Sequence, residues 1–171
     1  MEKFEGTVLF GESFEPISGR VVIDDGRIES VERTETESSD IITPAFVNAH
    51  THVGDSVAKE AAVGLSLEEA VAPPDSLKHR RLRDADREEL VTAMRRTLRF
   101  MQGTGTAAFL DFRENGVDGA RALREAAKGP EIRPFIFGSE DASVLDVADG
   151  FGASGANDDD FTAQREATQK A

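Results

Sequence analysis

From residue 41 onward, short apolar runs alternate with stretches of helical periodicity, and this alternation constrains the fold more than any other feature of the chain. The run Ile41-Ile42-Thr43-Pro44-Ala45-Phe46-Val47-Asn48-Ala49-His50-Thr51-His52 starts apolar and ends polar, as a buried strand with a site at its end would. Residues 106–111 and 132–137 read as a second and third strand, and residues 151–154 as a short fourth. Between them, residues 84–101 form the clearest helix, with Leu90, Val91, Met94, Leu98 and Met101 at helical spacing and Gly103 as its stop. Asn115 caps a further helix whose Val117, Ala120, Leu123 and Ala127 share one face until Gly129. Residues 143–148 make a short helix and residues 159–170 a last one. Parallel neighbours need crossover connections, so this rhythm predicts parallel β/α units.

The segment before residue 41 has a different period. Residues 6–10, 19–23 and 27–31 alternate apolar and polar, and Asp24-Asp25-Gly26 between the last two is a hairpin signal, because a type I′ turn needs positive φ at both central residues. Residues 33–40 are polar and charged, an exposed connector. After the first strand of the β/α region, residues 53–83 are weakly periodic and contain Pro73-Pro74, so they read as a long excursion. Its one short helix, over residues 66–71, opens with Ser66 and Glu69 as a capping box.

Composition narrows the chemistry. The 171 residues contain no cysteine, which removes disulfides, thiolate nucleophiles and sulfur-ligated metals together. Any metal must therefore use nitrogen or oxygen ligands. With 20 Lys and Arg against 33 Asp and Glu, the formal charge is −13, which repels phosphate backbones and disfavours nucleic acid. No apolar run approaches the roughly 18–20 residues of a membrane span, and Met1-Glu2-Lys3-Phe4-Glu5 does not begin like a secretory signal, so a cytoplasmic location is expected. Only Lys3, Lys59, Lys78, Lys128 and Lys170 are lysine, and this acidic, lysine-poor composition resembles proteins of salt-loving archaea. The acidic triplet at residues 158–160 reads as a solvated helix start.

The chemistry concentrates on His50 and His52, two of three histidines, separated by Thr51 at the end of the first predicted β/α strand. Strand side chains alternate, so both imidazoles face one side about 7 Å apart along the backbone and converge on one cation. Neutral imidazole suits zinc or iron, and catalytic tetrahedral sites use about three protein ligands with one position kept for water. Two histidines alone do not complete such a site, and a strand-end pair also occurs as simple hydrogen-bonding partners.

The stretch from Thr43 to His52, preceded by Val22-Ile23-Asp24-Asp25-Gly26-Arg27-Ile28-Glu29-Ser30-Val31, resembles the opening of the amidohydrolase superfamily. In that family a small β-sandwich stands beside a (β/α)₈ barrel whose first strand ends in His-x-His. The subgroup it most resembles is the cytosine deaminase and chlorohydrolase relatives. Ala45 departs from the family's usual glycine in a Pro-Gly-Phe turn. The resemblance implies an α/β fold: a β-sandwich segment over residues 1–42, then about half of a (β/α)₈ barrel over residues 43–171. A whole barrel takes about 250 residues.

The resemblance further implies that His50 and His52 hold one divalent metal, zinc or iron(II), and that a water on it attacks a carbon bonded to nitrogen in a small-molecule substrate. The family's other ligands, a histidine ending the fifth strand, one near the sixth and an aspartate ending the eighth, have no counterpart, since no histidine follows His79. Its acid–base glutamate is likewise expected beyond Ala171. Residues 151–154 lack the bridging lysine of two-metal members, so one metal is expected. The chain therefore reads as truncated and inactive alone, and as able to form a homo-oligomer through its open edges.

Lesser candidates lie around this pair. Lys78 and His79 sit in the long excursion, where barrel enzymes build substrate contacts, and are candidates to hold a substrate anion. Asp55 is placed to orient an imidazole. Asp111, Arg113 and Glu140 at strand ends, and Asn157, are read as structural. Two rival readings are a non-catalytic metal- or protein-binding module and a complete flavodoxin-like domain.

Overall fold

The computed structural model of the chain describes residues 1–153 and 161–170. It divides into two compact units, Met1–Ala45 and Phe46–Ala171.

In the first unit a four-stranded sheet runs in the order β3-β2-β1-β4. β1 (Glu2–Phe10) pairs antiparallel with β2 (Glu15–Asp24), which pairs antiparallel with β3 (Arg27–Arg33). The expected hairpin is present: Asp24 pairs with Arg27, and Asp25 and Gly26 have φ of 47° and 71°. Both values lie in the left-handed region, which Gly and Asp tolerate better than most residues. Val8, Ile17 and Val21 form the buried centre, backed by Ile23, Val31 and Ile42.

The apolar run read as one buried strand from Ile41 to His52 is two strands in different sheets. β4 (Ile41–Ile42) adds parallel to β1. After Thr43, Pro44 and Ala45 the chain re-enters as β5 (Phe46–Thr51) in the second unit. Proline has no N–H to give a ladder, and its ring restricts the preceding residue, so the break falls there. Nor is β5 buried: Phe46 to His50 are exposed, because β5 is an edge strand of its sheet.

That second sheet is wholly parallel, in the order β5-β6-β7-β8, with β6 at Thr106–Arg113, β7 at Arg133–Gly138 and β8 at Gly150–Phe151. The fourth strand begins one residue before its expected start, and Ser154 lies outside the described residues. Four consecutive parallel strands joined by helical crossovers make a mixed α/β unit with a partial barrel's topology.

The excursion after β5 holds more structure than its weak periodicity suggests. Two 3₁₀ turns, Val53–Val57 and Lys59–Ala62, precede α1 (Leu67–Val71), which Ser66 and Glu69 cap reciprocally as expected. A further helix, α2 (Leu77–Asp84), was not legible, since only its Leu82 is buried. α3 (Arg87–Gly103) is capped by Asp86 and buries Val91, Met94 and Leu98. Asn115 stands at the N-cap of α4 (Gly116–Ala126), but with φ of 65° and no side-chain cap bond, so its expected capping is absent. The segment read as a helix at residues 143–148 is a 3₁₀ turn, Ala142–Asp146, capped by Asp141. The last helix, α5, spans Phe161–Lys170; the acidic triplet and Asn157 lie outside the described residues. Among the described residues no helix is long and apolar enough to cross a membrane.

β6 alternates strictly. Phe109, Asp111 and Arg113 are buried, while Ala108, Leu110 and Phe112 are half-buried. Phe109 and Ile136 pack with Leu98, Ala120 and Leu123 of the helices, so the buried positions face the helical layer. The half-buried positions line the opposite, inner face. Because Phe109 and Leu98 are wholly buried at this contact, Phe109→Ala is expected to destabilise the chain by about 3–5 kcal/mol. The check is a shift of the urea midpoint without a change of slope.

Candidate active site

The carboxyl end of β5 places the two histidines. Along the ladder with β6, Asn48 pairs with Phe109 and Thr51 with Asp111, so β5 advances three residues while β6 advances two. Such an irregularity re-aims side chains. The imidazoles of His50 and His52 come together with ring centroids 5.3 Å apart and their Nε2 atoms 3.4 Å apart. Phe112 packs against both rings, at 4.8 and 6.0 Å, from the inner face of β6. The pair lines a cavity of about 360 Å³ together with Phe112, Arg113, Glu114, Ser139, Gly152 and Ala153. Every contributor lies at or just beyond the carboxyl end of a parallel strand, the end at which barrel enzymes place their chemistry.

His52 is held on its other nitrogen. Its Nδ1 lies 3.1 Å from the Phe112 carbonyl and 3.4 Å from Glu114 Oε1. A carbonyl only accepts, so the proton sits on Nδ1 and the Nε2 lone pair is left facing the cavity. The hydrogen bond with Glu114 raises the His52 pKa against the opposing effect of burial.

Glu114 is the centre of a charged cluster. Its Oε1 is 2.5 Å from Lys78 Nζ, and its Oε2 is 2.5 Å from Arg113. Burial works against the carboxylate, but the His52 hydrogen bond and the charges of Arg113 and Lys78 outweigh it, holding its pKa far below the ordinary carboxylate range. It is therefore an ionised acceptor, unsuited to donate a proton. Lys78 also reaches Asp55 Oδ2 at 3.1 Å. Burial lowers its pKa, and the two carboxylates more than restore it, for a net rise.

Behind the histidines lies a second buried cluster. Asp111 is fully buried, and its Oδ2 accepts from the Val53 N–H at 2.6 Å and from the Thr51 hydroxyl at 2.9 Å. The same hydroxyl is 2.9 Å from the Leu110 carbonyl. Burial raises the pKa of Asp111 despite the nearby Arg113 charge. Arg113 is 2% exposed, and the backbone of Gly54 lies so close that a Cβ there would be 1.8 Å from its guanidinium nitrogen. Only glycine leaves room for it.

The residues singled out in the sequence divide accordingly. His50 and His52 meet. Lys78 stands beside them with its charge committed to Asp55 and Glu114. His79, the next residue of α2, bonds Ser76 Oγ through Nδ1 at 2.7 Å. Neither is among the described residues lining the histidine cavity. Asp55 touches Lys78 rather than an imidazole; the carboxylate at His52 is Glu114. Glu140 lines a different cavity with Leu82, Asn115 and Gly119. Glu114 was missed because a glutamate just beyond a strand end carries no spacing signal of its own.

A metal's requirements are met in donor type: two imidazole nitrogens face each other, and one has its other nitrogen fixed. In number they are met only in part, since among the described residues no cluster of three or more His, Asp or Glu could hold a metal ion.

The sequence pattern of the Amidohydrolase family matches residues 41–168. A protein named as an aminohydrolase in Methanothermobacter thermautotrophicus is 36% identical over 173 residues, covering 88% of this chain and 45% of its own length. The chain thus spans about half the length of that curated relative. Among solved structures, the zinc-complexed atrazine chlorohydrolase of Arthrobacter aurescens superposes with a TM-score of 0.58 at 18% identity, over 81% of this chain and 36% of its own. The 5-methylcytosine deaminase of Klebsiella pneumoniae gives 0.56 at 13% identity, over 81% and 36%. These two show the fold. With the family pattern covering most of its length, the chain belongs to the Amidohydrolase family.

Proposed function

We propose that this chain carries the first metal-binding arm of a hydrolase acting on carbon–nitrogen bonds other than peptide bonds, with His50 and His52 as imidazole donors to one divalent metal, zinc or iron(II). The observation that carries the reading is the meeting of the two Nε2 atoms at 3.4 Å over a cavity at the strands' carboxyl ends, with Nδ1 of His52 already occupied. Metal-bound histidines commonly donate their second N–H to a carbonyl or carboxylate, which fixes the ring. Family membership and the aminohydrolase and deaminase names of its relatives support removal of an amino group from a small cyclic amine or amidine. When bound, such a metal supplies Lewis acidity and a water acidified toward neutral pH.

The chain's own residues do the rest. Glu114 and the Phe112 carbonyl hold the His52 tautomer, Phe112 fixes both rings by packing, and Lys78 and Arg113 keep Glu114 ionised. No carboxyl group among the described cavity-lining residues is poised as a general acid, so turnover needs groups beyond these.

Two outcomes test the reading. Zinc titrated into the purified chain in concentrated KCl is expected to bind one ion per chain, and the His50→Ala, His52→Ala double variant to lose that binding; equal binding by the variant would overturn the assignment. The same chain is expected to show no deamination of an aminopurine, an aminopyrimidine or an aminotriazine by ammonia release. Measurable turnover would sink the claim that further groups are required.

A further inference from the structure

The ladder between β5 and β6 is irregular between Phe46 and Val47 and again between Asn48 and Thr51, the stretch that holds His50 and ends beside His52. β5 is an edge strand, so it has no second neighbour in the sheet to correct the slip. Regular pairing therefore does not fix the direction of His50 and His52, and another contact must.

The contact that spans the slip is Asp111. One oxygen of its carboxylate accepts the side chain of Thr51, the residue before His52, and the backbone N–H of Val53, the residue after it. His52 is thus clamped from both sides by a group 0% exposed on the opposite face of the sheet. The other carboxylate oxygen faces an Arg113 nitrogen across 3.6 Å, too far for a hydrogen bond, and both of these buried atoms lack hydrogen-bond partners. A buried ion pair left this unsatisfied contributes little to stability, since replacing both partners by apolar groups is often neutral. Its retention needs another reason.

We propose that Asp111 is the positioning residue of the histidine pair, holding the His50–His52 geometry from behind the sheet, with Arg113 as its counter-charge. Arg113 in turn occupies the space that Gly54 leaves open, so the turn after His52 is built around the same clamp. Asp111 touches neither imidazole and acts only through Thr51 and Val53. This inference rests on the metal reading only for the fall in zinc affinity; the geometry it concerns is that of the two rings themselves.

The experiment uses the full chain labelled with ¹⁵N in histidine. Two-bond ¹H–¹⁵N spectra at about pH 8, where free imidazole is neutral, report the tautomer and order of each ring without metal. Zinc affinity is measured in parallel by competition with a chromophoric chelator. Asp111→Asn, and the double variant Asp111→Leu with Arg113→Leu in case the single one unfolds, are expected to average the His52 tautomers. Zinc affinity is expected to fall by about 10- to 100-fold, with the far-ultraviolet dichroism of the double variant near that of the parent. A folded double variant with unchanged ring signals overturns the proposal. If the parent chain binds no zinc at all, the metal reading fails by itself and the ring signals still decide the positioning role.

Discussion

A local slip in the β5–β6 ladder governs the rest of the site. In a parallel pair the ladder bonds are evenly spaced and slanted, so a strand in perfect register presents its side chains at fixed intervals. Between Asn48 and Thr51 that interval is broken, and the two imidazoles close to 3.4 Å between their Nε2 atoms. A slipped edge strand is conformationally cheap to shift, and each polar contact nearby restrains it from a different side. Thr51 and Val53 are tied toward the helical layer through Asp111, His52 is tied along the rim through Phe112 and Glu114, and His50 leans on the Phe112 ring.

The charge at this rim is nearly balanced, although it keeps the sign of the chain as a whole. The molecule as a whole carries −13. At their formal charges, Asp55, Asp111 and Glu114 contribute −3 and Lys78 and Arg113 contribute +2, leaving −3 + 2 = −1 beside two imidazoles. One negative charge remains, in a partly desolvated setting. A divalent cation placed between neutral nitrogen donors is favoured by that residual charge, and a bound cation would be the largest local charge in the site. The cations next to Glu114 serve a separate purpose, since an ionised acceptor holds the Nδ1 proton of His52 better than a neutral acid would.

Local signals were legible in the sequence where one residue type answers one backbone demand. The Asp25-Gly26 turn, the Ser66 and Glu69 capping box and the stripe of Val91, Met94 and Leu98 all appear in the structure as their chemistry requires. The fold class and the pairing of His50 with His52 on one side of a strand followed from period and spacing. What escaped depends on contacts distant in sequence. The split of the Ile41–His52 run was hidden because Ile41 and Phe46 are equally apolar while serving different sheets. α2 escaped because only its Leu82 is buried. Asp111 read as an ordinary strand-end charge and Glu114 was missed, because their partners lie far earlier in the chain, as in the separation of 60 between Asp111 and Thr51.

The inner face of the sheet explains why the two histidines must be restrained by such neighbours. A complete barrel fills its interior with side chains from all eight strands, in layers. Here the inner positions of β6 and β7, among them Leu110, Phe112, Phe135 and Phe137, are half-buried, and His50 is exposed. Among the described residues no strand faces the rings from across a barrel. The restraint comes instead from β6 and the turn beginning at Val53, elements next to β5 and present within the same unit. On the proposed reading, a histidine pair restrained in this way would have given up rotational freedom before a cation arrives, so part of the ordering cost of coordination would be met on folding. The geometry of the pair then depends on β6 and on the turn after β5, the elements that carry Asp111, Phe112 and Val53.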